Sequence, residues 1–245
     1  MTRGLALLLV AALLAGSGLS AAASARPKGP ARFYPDPSEI LALEIAYNRR
    51  AQEKGQWAAL RENAAEDAVM FVPEKVAAPL WLKGRKDSPL PARRDPWKAY
   101  VSCDARLAVA TGTWQGADGA QGYFTTVWRR TAKGEWQWVL DHADRLAAPR
   151  DHADYAEGHV ASCKGLPGRT RDAGRDAPSS PPPPPPQQQP SSGKGGKQGE
   201  ALPPPDDSLR WRYEVTPDGG RHVLVSLWNG SSYEDVIDDR VGPQR

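Results

Sequence analysis

The sequence predicts an α+β fold: helices packed on one face of a curved antiparallel sheet, then a Pro-rich spacer, then a small β-meander. Three observations carry this. Helical spacing governs residues 36–64. Alternating strands separated by turn residues fill 107–142 and return at 209–237. Twelve of the 24 prolines lie between Pro167 and Pro205, which rules out one compact domain over all 245 residues.

Asp36-Pro37-Ser38-Glu39 opens the first helix. Asp36 caps, Pro37 suits the first helical position, and Glu39 completes a capping box. Ile40, Leu43, Tyr47 and Ala51 recur at helical spacing, and Gly55 stops the run. Gln56 to Ala64 reads as a second short helix, with Trp57, Leu60 and Ala64 on one face. Ala68 to Val72, ending at Pro73, reads as a strand, while Val76 to Leu82 fits helix or strand. Asp87 to Pro96 holds three prolines and four charges and reads as a loop.

Leu107 to Trp114, Gly122 to Arg130 and Glu135 to His142 then form an antiparallel meander, with turns at Asp118-Gly119 and Lys133-Gly134. Strict alternation in the last strand places Trp136, Trp138, Leu140 and His142 on one face, and Gln137, Val139 and Asp141 on the other. Residues 165–207 lose complexity. Pro181 to Pro186, a Gln triplet and a Gly/Ser/Lys stretch cannot bury enough apolar surface to order themselves. Alternation resumes at Leu209, Trp211, Tyr213 and Val215, continues at Val223, Val225 and Leu227, and ends with Tyr233 to Ile237 after an Asn229-Gly230 turn. A sheet this small is marginal alone, so its Trp/Tyr face is expected to pack on the first domain or on a second chain.

The N-terminus carries Arg3, an apolar run from Leu5 to Leu14, and Ala23-Ser24-Ala25. This is the pattern of a secretory signal peptide, with cleavage predicted after Ala25. The run is too short to span a bilayer, which takes about 20 apolar residues. The organisation expected is therefore a signal peptide over 1–25, a first domain with its tail over 26–164, a spacer over 165–207 and a meander over 208–241. The expected location is periplasmic or secreted, with no membrane span after cleavage. Export makes a Cys103–Cys163 disulfide the favoured reading, against two unrelated thiols. Its loop of about 60 residues corresponds to about 4 kcal/mol in the chain-entropy model.

A net charge of +3, from 32 basic and 29 acidic residues, offers no concentrated basic face for nucleic acid. No phosphate-binding, dinucleotide or nucleophile-elbow motif is present. Asp141-His142-Ala143-Asp144 is echoed by Asp151-His152-Ala153-Asp154, with His159 beyond. The alternation above turns Asp141 away from His142, so no metal site is expected, and no cofactor.

Glu53-Lys54-Gly55-Gln56-Trp57, Asp67-Ala68-Val69-Met70-Phe71-Val72-Pro73, Gly122 to Arg130 and Trp136 to Asp141 together resemble the nuclear transport factor 2-like superfamily, also called ketosteroid-isomerase-like or SnoaL-like, over about residues 36–146. The resemblance implies a cone, with a sheet wrapped around helices and an apolar cavity inside. It also implies a homodimer through the open sheet face. Trp57, Met70, Trp81, Trp128 and Trp138 are the pocket residues expected on this reading. Asp141, with Tyr47 as hydroxyl donor, is the acid–base pair expected if the cone is an enzyme; Asp104 is a second carboxylate. Fold alone does not decide activity. Two readings follow: a non-catalytic domain binding a small hydrophobic molecule or a partner protein, and an isomerase, cyclase or lyase acting on a small hydrophobic substrate. Intact mass of exported protein tests the N-terminal reading. The expected species starts at Arg26 and is about two daltons lighter unreduced than reduced; a start at Met1 overturns it.

Overall fold

The computed structural model describes residues 33–87, 90–148, 150–151, 154–166 and 205–243. The predicted signal peptide and most of the spacer lie outside the described residues. The first helix, α1, spans Pro37–Lys54, and Asp36 caps it by accepting the Ser38 N–H at 2.9 Å. Glu39 does not close the expected capping box. Its carboxylate pairs instead with Arg130, a charged and therefore stronger partner than a backbone N–H.

Gly55 separates α1 from α2 (Gln56–Glu62). Its φ is +102°, and a Cβ there would lie 2.2 Å from Cγ of Asp87. Asp87 occupies that space because α2 has no cap of its own: its Oδ1 accepts the N–H groups of Trp57 and Ala58.

Next come β1 (Ala64–Phe71), β2 (Lys75–Ala77) and the one-turn α3 (Ala78–Leu82). The stretch that fitted helix or strand is thus both in succession. Strand β3 (Arg93–Val101) begins inside the expected loop. Its Pro96 is tolerated because the register with β4 (Leu107–Gln115) shifts between Pro96 and Lys98. Gly112 sits opposite, where a Cβ would lie 2.1 Å from the Asp95 carbonyl oxygen.

Strands β5 (Gln121–Arg130) and β6 (Trp136–Arg145) complete the antiparallel meander that the turns predicted. The seven-stranded sheet runs β2-β1-β6-β5-β4-β3-β7, with β1 parallel to β6. The seventh strand, β7 (Glu157–Val160), pairs in parallel with β3 inside what the sequence suggested was an unstructured tail.

One expectation for β6 is corrected. Val127 pairs with Leu140 but Trp128 pairs with Trp138, so Val139 is an extra residue in the strand. This bulge resets the alternation. Trp138 and Asp141 share the helix side, and Leu140 and His142 take the opposite side.

The C-terminal sheet, β8 (Leu209–Val215), β9 (Arg221–Trp228) and β10 (Tyr233–Val241), is a meander in order β10-β9-β8. It does not stand alone. Leu209, Val223, Val225 and Ile237 join the core of the first domain. Phe71 meets Tyr213 edge-on at 5.8 Å, and Arg221 Nη2 donates to the Ala143 carbonyl at 2.8 Å. The meander covers the sheet face away from α1, the face expected to receive a second copy. Its own outer side carries polar pairs such as His222–Asp238 and Ser226–Asp235.

Cys103 and Cys163 form a disulfide with Cα atoms 5.2 Å apart. Asp206 N–H donates to Asp104 Oδ2 at 3.0 Å, and Cys103 N–H donates to Ser208 Oγ at 2.7 Å. The chain therefore leaves for the spacer, and returns from it, at the same Ser102–Arg106 turn. Asp87→Ala is expected to lower stability by about 1 kcal/mol through loss of the α2 cap. A denaturation midpoint equal to that of the parent would contradict this.

Candidate functional site

Between α1 and the sheet, three elements deliver charge into the interior and a fourth delivers a hydroxyl. Glu44 lies on the buried stripe of α1 with Ile40, Tyr47 and Ala51. Arg94 enters from the start of β3, Asp141 from β6, and Thr126 from β5. Both oxygens of Asp141 accept from Arg94 Nη2, at 2.9 and 2.8 Å. Arg94 Nη1 lies 3.4 Å from Thr126 Oγ1 and 3.8 Å from Glu44 Oε2. The guanidinium carbon sits 4.7 Å from the centres of both the Tyr47 and Phe124 rings. The Arg94 backbone N–H donates to Asn48 Oδ1, fastening β3 to α1.

Glu44 is fully buried, and Trp128 Nε1 donates to its Oε1 at 2.9 Å; its Oε2 has no hydrogen bond. Burial pushes the Glu44 carboxyl above its usual range, against the pull of Arg94 and the Trp128 N–H. Burial also raises the Tyr47 hydroxyl, again opposed by Arg94. For Arg94, burial disfavours the charge, but Asp141, Tyr47 and Glu44 outweigh it and hold the guanidinium protonated. The upward shift favours a cluster of one cation, Arg94, against one anion, Asp141.

Tyr47 and Asp141 are thus brought together, with Arg94 lodged between them. A general base works best when it is not held by a cation, and here both Asp141 oxygens share Arg94 Nη2. The expected pocket residues lie elsewhere in the packing. Trp128, Trp138 and Met70 are buried, and the Trp138 indole donates to the Leu60 carbonyl at 2.9 Å. Trp57 and Trp81 pack on each other edge-to-face at 5.0 Å, with Arg85 stacked on Trp81. Asp104 stays at its turn, accepting from Ser102 Oγ at 2.7 Å.

None of these five lines the open groove of about 550 Å³ at one end of the sheet. That groove is walled by Ile45 and Asn48 of α1, Arg93 to Pro96 of β3, Thr113 to Gln115 of β4, and Gln121 and Gly122 of β5. Arg94 therefore belongs both to the groove wall and to the buried cluster. Ile45 on the groove wall is 60% exposed.

The sequence reading missed Glu44 and Arg94. A signal existed for Glu44: spacing 40-44-47-51 fits the buried stripe better than the route through Leu43, and it puts a carboxylate among apolar residues. Arg94 gave no such signal, being the second of two arginines in a Pro-rich stretch. Among the described residues, no group of three or more His, Cys, Asp or Glu side chains is arranged to hold a metal, and no helix is long and apolar enough to cross a membrane.

No family model and no curated protein matches this chain. Solved structures do. A ketosteroid isomerase-like protein from Erwinia carotovora atroseptica is 16% identical, with 47% of this chain and 100% of that one covered and a TM-score of 0.36. A nuclear transport factor 2-like superfamily protein from Salmonella enterica is 17% identical, covering 49% and 96%, at 0.35. ActVI-ORFA from Streptomyces coelicolor is 15% identical, covering 45% and 98%, at 0.35. The similarity concerns about half of this chain.

Two substitutions separate the roles in the cluster. Asp141→Ala leaves Arg94 buried without its counter-ion and is expected to destabilise by about 3–5 kcal/mol. The raised Glu44 carboxyl makes the folded chain hold a proton that the unfolded chain releases. That stabilisation is complete below the usual value of 4.5 and is lost as pH rises through the folded value. Glu44→Gln is therefore expected to match or exceed the parent at pH 7 and to flatten this slope in urea titrations. A Glu44→Gln protein as unstable as Asp141→Ala at pH 7 would contradict the raised Glu44 carboxyl.

Proposed function

We propose that the chain is an exported, non-catalytic binding domain that seats a small molecule in the groove beside α1. The observation carrying the non-catalytic part is the Arg94–Asp141 pair: it places a permanent cation beside Tyr47 and on Asp141, both of whose oxygens accept from Arg94 Nη2. The groove supports the binding part. Its volume of about 550 Å³ falls within the range of small-molecule sites, roughly 300–1,000 Å³. Its wall mixes Ile45, Pro96 and Trp114 with Asn48, Arg93, Gln115 and Gln121, so a ligand with both apolar and hydrogen-bonding parts fits better than a purely hydrophobic one.

The Cys103–Cys163 disulfide supports export, since such bonds persist in oxidising compartments. Homodimerisation through the sheet face is not part of this reading, because β8–β10 of the same chain cover that face. The acid–base alternative retains one supporting observation, the buried Glu44 carboxyl with a free Oε2.

Fragment screening by two-dimensional NMR on the mature chain tests the proposal. Ligands are expected to move the Trp114 indole and Asn48 side-chain signals and to leave the Trp128 indole unmoved. Ile45→Arg is expected to weaken binding by about tenfold, or ~1.4 kcal/mol. Ligands that move the Trp128 indole, together with turnover lost in Glu44→Gln, would establish the enzyme reading instead. Absence of any groove binder would overturn the small-molecule assignment in favour of a protein partner.

A further inference from the structure

A second set of buried titratable groups lies on the opposite side of the sheet, under the C-terminal meander. His142 is fully buried, and neither ring nitrogen has a hydrogen-bond partner among the described residues. Its ring meets Phe71 of β1 edge-on at 5.6 Å and Tyr123 of β5 at 5.7 Å. The charged groups around it come from β6, β9, β10 and the segment after β6 that holds Arg150. Arg221 of β9 lies over Phe71 at 5.1 Å, and Arg150 lies over the Tyr123 ring at 3.6 Å. Asp239 of β10 has Oδ2 at 3.9 Å from His142 Nδ1. Asp144, on the same face of β6, is 3.8 Å from Arg221 Nη2.

Asp239 is already engaged by other partners. Its Oδ2 accepts from Thr125 Oγ1 at 2.7 Å and its Oδ1 pairs with Arg150 at 2.8 Å. Arg150 and Arg221 against Asp144 and Asp239 already balance with a neutral imidazole. An imidazolium would add an uncompensated third cation in a dry interface. The three meander and linker contributions to this cluster, Arg150, Arg221 and Asp239, are also contacts that hold β8–β10 on the sheet.

We propose that His142 is an acid-sensitive latch: its protonation releases β8–β10 from the seven-stranded sheet and uncovers the apolar face beneath them, while the disulfide-bonded remainder keeps its fold. Burial, then Arg221 and Arg150, hold the docked ring neutral down to about pH 3, against an ordinary value of 6.5. The sign follows. A depressed folded-state value means the released chain binds the extra proton, so docking is at full strength above pH 6.5 and weakens as pH falls below it. The docking equilibrium drops about tenfold per pH unit, hence about a hundredfold between pH 6.5 and pH 4.5.

Hydrogen exchange of the full mature chain with its disulfide intact, corrected for intrinsic rates, reads this out. From pH 6.5 to 4.5, protection of β8–β10 amides is expected to fall about a hundredfold relative to β4 and β5 amides. His142→Phe, which keeps a ring against Phe71 and Tyr123, is expected to abolish that relative loss. Equal loss in both sheets, or the same relative loss in His142→Phe, overturns the latch. If the variant does not fold, exchange at the histidine ring carbon of the parent decides. A His142 midpoint well below that of His222 supports the latch, and a midpoint near 6.5 refutes it.

Discussion

The Arg94–Asp141 ion pair constrains the interior of the first domain more than any other contact. A guanidinium this deep is tolerated only because its partners are arranged in advance. One carboxylate is gripped by two hydrogen bonds, two aromatic rings lie 4.7 Å from the guanidinium carbon, and Thr126 lies within reach. The partners arrive on three elements: Tyr47 on α1, Phe124 and Thr126 on β5, and Asp141 on β6. The position of α1, the start of β3 and the bulged half of β6 are therefore mutually dependent. Asn48 adds a backbone tie, so α1 and β3 meet through both side chain and main chain.

The bulge at Val139 gives that constraint its geometry. Under strict alternation from Trp138, Asp141 would share a face with Val139 and point toward the meander, and His142 would enter the helix side. Alternation alone puts the two adjacent titratable groups in separate compartments; the bulge decides which enters which, Asp141 to pair with Arg94 and His142 to lie under the meander. The sheet is thereby two-sided in its chemistry as well as in its packing, with α1 completing one side and β8–β10 the other.

Much of the architecture was legible in the sequence. Asp36-Pro37 starts α1 where the capping signal placed it, the Asp118-Gly119 and Asn229-Gly230 turns separate the strands they were expected to separate, and the two cysteines are joined. The elements that escaped are those whose stability comes from tertiary partners. Arg93 to Pro96 reads as loop because proline usually ends pairing, and only the register shift beside Pro96 accommodates it. The four-residue β7 has no alternating pattern and exists because β3 offers an unpaired edge. The site was less legible than the fold. Tyr47 and Asp141 each meet Arg94, which lay in a predicted loop, and Glu44 was passed over for Leu43. Strand parity, the rule used for Asp141, cannot register a bulge that leaves no mark in residue type.

The shared anchorage of Cys163, Asp206 and Ser208 at the Ser102–Arg106 turn has a consequence for how this chain can change. The route out and the route back are both fastened to this one turn. Lengthening a loop whose ends are already held together adds only about 0.6 kcal/mol for each doubling. Residues 167–204 therefore mark a position where sequence can be added, removed or exchanged for another insert while β8–β10 remain seated. For a builder of fusion proteins it is the natural port in this chain.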